Sequence, residues 1–220
     1  MGGGYIKPNV SLSIDTNSVY YNLDANGHEY VDLGLPSGTL WATCNVGAKK
    51  PSDYGKYFQW GDTSGYTAAQ VGKDKQFTEA DYKWNSEEEA TKYIYYGEAL
   101  DLEDDSAHIN MGGVWHMPTP TQLRELLNET TITWTTSDGV SGMTFTSSNG
   151  KSIFIPAAGM AWNGSIDDNG SGGYVWSSML SNFNDSGGQN LQVSSWGVTL
   201  IDDDGEDSRY YGFSVRGVIG

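Results

Sequence analysis

The chain has 220 residues with 28 acidic against 12 basic side chains, a formal charge of −16, and it carries 29 glycines, 14 tyrosines and 8 tryptophans. At that length one core buries roughly 70% of the unfolded surface, so a single turn-rich, aromatic-rich domain needs neither a metal nor a disulfide, and the lone Cys44 cannot form an internal bridge. The acidic excess leaves no cationic stripe for nucleic acid or an anionic membrane surface, and no apolar stretch reaches the ~18 residues of a membrane span; the partner that remains is neutral, basic, or recognised through aromatic and amide contacts.

Met1 to Gly4 reads as a tag remnant without the charged and apolar regions of a signal peptide, so the chain is either intracellular or has lost an export signal. Residues 5 to 23 alternate, with Val10, Leu12 and Ile14 against Ser11, Ser13 and Asp15, the period of an exposed strand or of the end of a preceding module. Asn26-Gly27 marks a turn, which divides the chain into an N-terminal piece, 1–27, and one domain, 28–220. From His28 to Ala48, two extended runs flank Pro36-Ser37-Gly38 and predict a hairpin. Residues 49 to 97 hold Tyr54, Tyr57, Phe58, Trp60, Tyr66, Phe77, Tyr82, Trp84, Tyr93, Tyr95 and Tyr96 without clean periodicity, which predicts a long ordered loop pinned by rings.

Two helices follow. Asp104 to Asn110 begins with acids and ends at Gly112-Gly113. The second has Thr119 as N-cap, Pro120 at its first position, Gln122 closing a capping box and an apolar stripe of Leu123, Leu126 and Leu127, and should run to about Asn128. Short strands are then predicted at 142–146, 152–156, 174–178, 190–194, 197–201 and 211–218. The class is α+β: two short helices and a mixed, mostly antiparallel sheet with long ordered loops.

Seven blocks now stand in order: Tyr30 to Gly47, Tyr54 to Gly61, Leu102 to His108, Gly113-Val-Trp-His-Met-Pro-Thr119, Ile153-Phe-Ile-Pro-Ala-Ala-Gly159, Trp176-Ser-Ser178 and Gly212-Phe-Ser-Val-Arg216. In that order they resemble the Fibrobacter succinogenes major paralogous domain family of gut Bacteroidetes and their phages, over residues 28 to 218. The resemblance implies a C-type lectin-like fold related to the formylglycine-generating enzymes. It also implies a likeness to the targets of diversity-generating retroelements, whose substitutions concentrate just before a closing Arg-Tyr-x-Gly-x-Ser-Val-Arg; Arg209 to Arg216 matches that ending. The function so implied is a non-enzymatic recognition domain of a phage tail or bacterial surface protein, extracellular, binding a protein or glycan on a cell surface. The alternative is a structural cap of a fibre or adhesin without its own ligand.

Read from their surroundings, Trp41, Trp60, Trp115 and Trp176 are core rings, and Arg216 in a terminal strand is expected to pair with Asp104 or Asp105. Catalysis finds no support. Cys44 stands alone in a strand as a small buried hydrophobe, His28, His108 and His116 are scattered, no nucleophile elbow occurs and no zinc ligand set is spaced for a metal. No cofactor is assigned. For the acidic runs Asp167-Asp168-Asn169-Gly170 and 202–207, solvated loop tips are set against a calcium loop, whose ligand spacing they lack.

Between the core blocks lies a stretch of small polar groups and isolated rings, the composition of adaptable binding surfaces. Its candidate contact residues are Trp162, Asn163, Asn182, Phe183, Asn184, Asp185, Gln189, Asn190, Gln192, Ser194, Trp196, Asp202, Asp204, Tyr210 and Tyr211. Alternation directs Leu191 and Val193 inward and leaves Asn190, Gln192 and Ser194 on the other face.

Overall fold

A computed structural model of the protein describes residues 22–85, 90–202 and 207–220. Most of the alternating stretch from 5 to 23 falls outside these, as do Asp203, Asp204, Gly205 and Glu206. Strands β1 (Asn22–Leu23) and β2 (Glu29–Asp32) pair across the Asn26-Gly27 turn, where Gly27 takes φ 84°. Residues 22–27 are thus part of the same sheet as the residues that follow. β3 (Leu40–Asn45) completes the expected hairpin, with Tyr30 opposite Ala42 and Asp32 opposite Leu40. The aromatic stretch then runs to Gly97 with one 3-10 turn, Glu79–Asp81, and isolated bridges among its described residues. Tyr57, Phe58, Trp60, Phe77, Tyr82 and Tyr93 are buried in it.

Helix α1 (Ser106–Met111) begins later than its acids predicted, because Leu102–Asp104 forms a separate 3-10 turn and Asp105 takes the cap, accepting from His108 N at 2.9 Å. Helix α2 (Pro120–Glu129) has the expected capping box: Thr119 Oγ1 accepts from Gln122 N at 3.2 Å, and Gln122 Oε1 accepts from Thr119 N at 2.9 Å. Ten strands follow: β4 (Thr130–Ser137), β5 (Val140–Ser147), β6 (Ser152–Pro156), β7 (Met160–Trp162), β8 (Ser165–Asp167), β9 (Gly172–Leu180), β10 (Gly187–Ser194), β11 (Gly197–Ile201), β12 (Asp207–Ser208) and β13 (Arg216–Ile219). Of the strand predicted over 211–218, only the end is a strand. Gly212, Phe213 and Ser214 instead bridge singly to Ala161, Phe58 and Val175, which lie on three different parts of the chain.

The protein is α+β and mostly β, with antiparallel sheets. β1-β2-β3-β13 form one sheet, β4-β5-β6 a second and β7-β8 a ribbon; in the last sheet β10 pairs β9 on one edge and β11 and β12 on the other. One core gathers Leu123 and Leu126 of α2 with Met143, Phe145, Ile153, Ile155, Val175, Leu191, Val193 and Val218. A second is aromatic, holding Phe58, Trp60, Trp115, Trp176 and Phe213. Trp176 stacks on Phe213 with centroids 4.1 Å apart, and a Cβ at Gly188 would lie 3.0 Å from both Trp176 and Trp60, so any side chain there requires two buried rings to give way.

Arg216 does not pair with Asp104 or Asp105. It is fully buried, and its guanidinium donates to Ala42 O (2.9 Å), Thr43 O (2.8 Å), Asn45 Oδ1 (3.1 Å) and Phe154 O (2.8 Å). Asp104 instead takes Lys83 and Lys92, and Asp105 is spent on backbone amides. Replacing Arg216 with Met keeps the stem but leaves these acceptors unsatisfied at about 1 to 3 kcal/mol each, so Arg216→Met is expected to lose at least about 3 kcal/mol in urea unfolding. Thr119→Ala removes one cap and is expected to cost about 0.5 to 2 kcal/mol in the same assay.

Candidate functional site

The alternation along β10 is real, but its second face is not open. Leu191 and Val193 enter the first core as expected. Asn190 lies beside Trp176 in the register and is fully buried against the aromatic core, and Gln189 is buried with its amide donating to Leu180 O at 2.7 Å. Asn190 is therefore corrected from a contact residue to a structural one, because this strand has a core on each side, whereas Gln189, though buried, also lines a hollow beside Arg124 and Asp202. Only toward its end does β10 reach the surface, at Gln192, opposite Tyr174 and Thr199, and at Ser194, opposite Gly172 and Gly197.

There a groove of about 400 Å³ opens, lined by Asp168, Tyr174, Gln192, Ser194, Trp196 and Thr199 among others. Trp196 sits on the two-residue tip of the β10–β11 hairpin and is 97% exposed. Tyr174 donates its hydroxyl to Asp168 Oδ2 at 2.6 Å. Burial, followed by that bond and the charges of Asp168, Asp207 and Asp167, pushes the phenol above its ordinary range, so it remains a donor at all physiological pH. On the groove's inner side, Asp207 Oδ2 accepts from Asn190 Nδ2 and Gln192 Nε2, each at 2.8 Å.

A row of rings leads out from here. Tyr174 lies 5.0 Å from Phe213, Phe213 lies 6.2 Å from Tyr211, and Tyr211 meets Trp162 edge-on at 6.0 Å and Tyr210 at 5.1 Å. Trp162 is 41% exposed on the β7–β8 hairpin, whose turn uses Asn163 at φ 47° and Gly164 at φ 77°. Tyr210 and Tyr211 are half-buried, and Tyr211 packs on the aromatic core.

Asn182, Gln189 and Asp202 line a different hollow, of about 350 Å³, together with Thr119, Thr121, Arg124 and Met179. The Asp202 carboxylate pairs with Arg124, and its carbonyl accepts from Asn182 Nδ2 at 3.1 Å. Asn184 turns inward, its Oδ1 accepting from Ser186 N at 2.9 Å and Gly187 N at 3.0 Å, so it shapes the loop. Asp185 is half-buried in the same loop, Phe183 is 55% exposed, and Asp204 lies outside the described residues. Asp168 and Tyr174, which line the groove, read in the sequence only as a loop tip and a strand residue, and Asp207 falls in the polar stretch without being chosen as a contact. Tyr95 and Tyr96, read as rings of the long loop, are exposed and precede Gly97, whose N–H donates to Ser181 O.

The residues weighed for chemistry have structural partners. His28, His108 and His116 each place a ring nitrogen within 3.1 Å of a backbone carbonyl, of Met111, Trp115 and Gly220 respectively. Cys44 is half-buried rather than buried, and burial pushes its thiol up, away from an activated nucleophile. Three carboxylates do converge, at Asp101, Glu103 and Asp104, but Lys92 Nζ lies 3.2, 3.3 and 2.5 Å from them and supplies the positive charge. Among the described residues no helix is long and apolar enough to cross a membrane. Compared with known proteins, the chain matches no family model, no curated sequence and no solved structure.

Burial raises the Asp207 carboxyl above its ordinary value, against the lowering effect of the Asn190 and Gln192 amides. A raised carboxyl binds its proton more tightly in the folded state than in the unfolded one. Its contribution therefore makes stability fall as pH rises from about 3.9 through the folded value. Asp207→Asn removes that term: wild type minus variant stability, from urea melts at several pH values, should be smaller at neutral pH than at pH 4.

Proposed function

We propose that this is a non-enzymatic ligand-recognition domain with a C-type lectin-like fold, of the kind its ordered motifs resemble, acting outside the cell on a bacterial surface or a phage tail. Its ligand is a protein or glycan on a cell surface. What carries the reading is the row of rings from Trp162 through Tyr211 to Tyr174, buttressed by buried Phe213 and running beside a groove lined by Asp168, Gln192, Ser194 and Trp196. Rings fixed from behind offer contact area at little entropic cost, while the hydroxyls, amides and carboxylates around them give direction. Exposed Trp162 and Trp196 project from two hairpin tips, so each can be truncated without opening a core.

The wild-type chain on protein and glycan arrays should bind a restricted set of ligands. With a ligand found, Trp162→Ala and Trp196→Ala should each weaken binding by about 2 kcal/mol, roughly 30-fold, while melting temperatures shift little. A chain that binds nothing above background is the structural cap of a fibre or adhesin. Undiminished binding in both variants moves the site to the Phe183 side.

A further inference from the structure

Strand β4 is eight residues long, and all eight pair with β5 in unbroken register, from Thr130 opposite Ser147 to Ser137 opposite Val140. It is an edge strand, since β5 and β6 complete the sheet on the other side. The direction of its backbone groups follows from β5. Ala157 N donates to Ser141 O at 2.8 Å, so Ser141 points its backbone toward β6, and Gly142, opposite Pro156, points toward β4. Ser141 faces Thr136 and Met143 faces Trp134. Ile132, Trp134 and Thr136 therefore turn their N–H and C=O away from the sheet, and among the described residues no backbone bond from another element reaches them.

Two other edges are covered. β6 contains Pro156, and its Phe154 carbonyl is taken by Arg216. β13 is bridged by His116. Open edges ordinarily carry lysine, proline or a bulge to prevent pairing. β4 has none of these, and it is an uncharged β-branched run on a chain of charge −16.

We infer that β4 is a dimerisation strand, pairing antiparallel with β4 of a second copy of this chain about a two-fold axis at Thr133. The sequence is self-complementary in that register. Ile132 of each copy meets Trp134 of the other on the core face, extending the first core's margin where Trp134 already packs and where Ile132 is 36% exposed. Thr133 meets Thr133 and Thr131 meets Thr135 on the outer face. The Ile132 and Trp134 pairs are those whose outward backbone groups can exchange hydrogen bonds, and aromatic, β-branched and threonine pairs are the favourable cross-strand combinations. β4 itself carries no charged residue, so two strongly acidic chains can pair along it without carboxylates opposed within the strand. A second copy supplies that match; a basic partner strand would find no carboxylate in β4 to meet.

The register gives the test. Thr133 opposite Thr133 is a non-hydrogen-bonded pair with Cα atoms about 4.5 Å apart, inside the range that a disulfide spans, whereas two copies of Thr135 would lie about 13 Å apart. In a Cys44→Ala background of the full chain, Thr133→Cys should form a covalent dimer under mild oxidation at least about tenfold faster than Thr135→Cys. The wild-type chain should show a concentration-dependent dimer by sedimentation equilibrium. Thr136→Pro removes only an outward N–H, which an edge strand tolerates, and should raise the dimer dissociation constant by about tenfold while the melting temperature holds. A wild-type chain that remains monomeric, or cross-linking at Thr135→Cys that equals or exceeds that at Thr133→Cys, overturns the inference.

Discussion

The buried guanidinium of Arg216 ties three strands that are far apart in sequence. The pairing of β13 with β3 shifts register between Arg216 and Val218. Such an irregularity leaves backbone carbonyls without their ladder partners. Arg216 fills the gap, donating to Ala42 O and Thr43 O of β3 and to Phe154 O of β6. Among the described residues no carboxylate pairs with it, and burial lowers its pKa to about 10, so the charge is held by neutral acceptors. An arginine serves here because its planar fork reaches several fixed oxygens at once and stays protonated at that value, whereas a lysine would offer one point of charge. The excursion from Ala157 to Val215, which carries the rings of the candidate site, thus leaves and returns to one anchored base.

The aromatic core does the same for the stretch without secondary structure. Trp60 donates its indole N–H to Ser177 O at 3.0 Å, and Trp176 donates to Phe58 O at 2.8 Å, a reciprocal latch between that loop and β9. Tyr82 OH closes on Trp60 O at 2.9 Å, and Arg209 donates to the carbonyls of Lys92 and Tyr93. A loop normally lies on the surface because its backbone must find water. This one is buried in part because ring N–H and O–H groups and a guanidinium satisfy carbonyls that no strand claims. Phe213 belongs to that core and also supports Tyr174 and Tyr211, so the rigidity of the outer rings is inherited from it.

Local signals were legible where one element fixes itself. Helix α2 announced its cap, its proline and its stripe, and the turn at Pro36-Ser37-Gly38 placed the β2–β3 hairpin, whereas Asn26-Gly27, read as a division of the chain, closes a hairpin of its own. β4 was missed because threonine on both faces hides the alternation of period two, although Asp138-Gly139, at φ 49° and 82°, is the turn that closes two-residue hairpins. Arg216 and Asn190 were misplaced for a common reason. Each is polar and lies in a short strand, and an alternating pattern cannot tell water from a second core. Among the described residues Asn190 Oδ1 and Ser214 Oγ find no hydrogen-bond partner, the kind of cost that only tertiary packing can offset.

For the proposed recognition role, burial separates positions that can change from those that cannot. Trp196 and Phe183 remove no core contact when replaced, and Gln192 and Ser194 lie at the open end of a strand. Asn184 and Gln189 hold backbone amides and carbonyls, and Tyr211 rests on Phe213, so their replacement acts on the scaffold before it acts on any ligand. The composition that marks a binding surface is therefore mixed along this stretch with residues that build the platform beneath it. In the proposed role, Ser194 and Trp196 at the strand end and hairpin tip are the positions where a side chain can be exchanged while the ring row, the Asp207 amide contacts and the Arg216 anchor stay as they are.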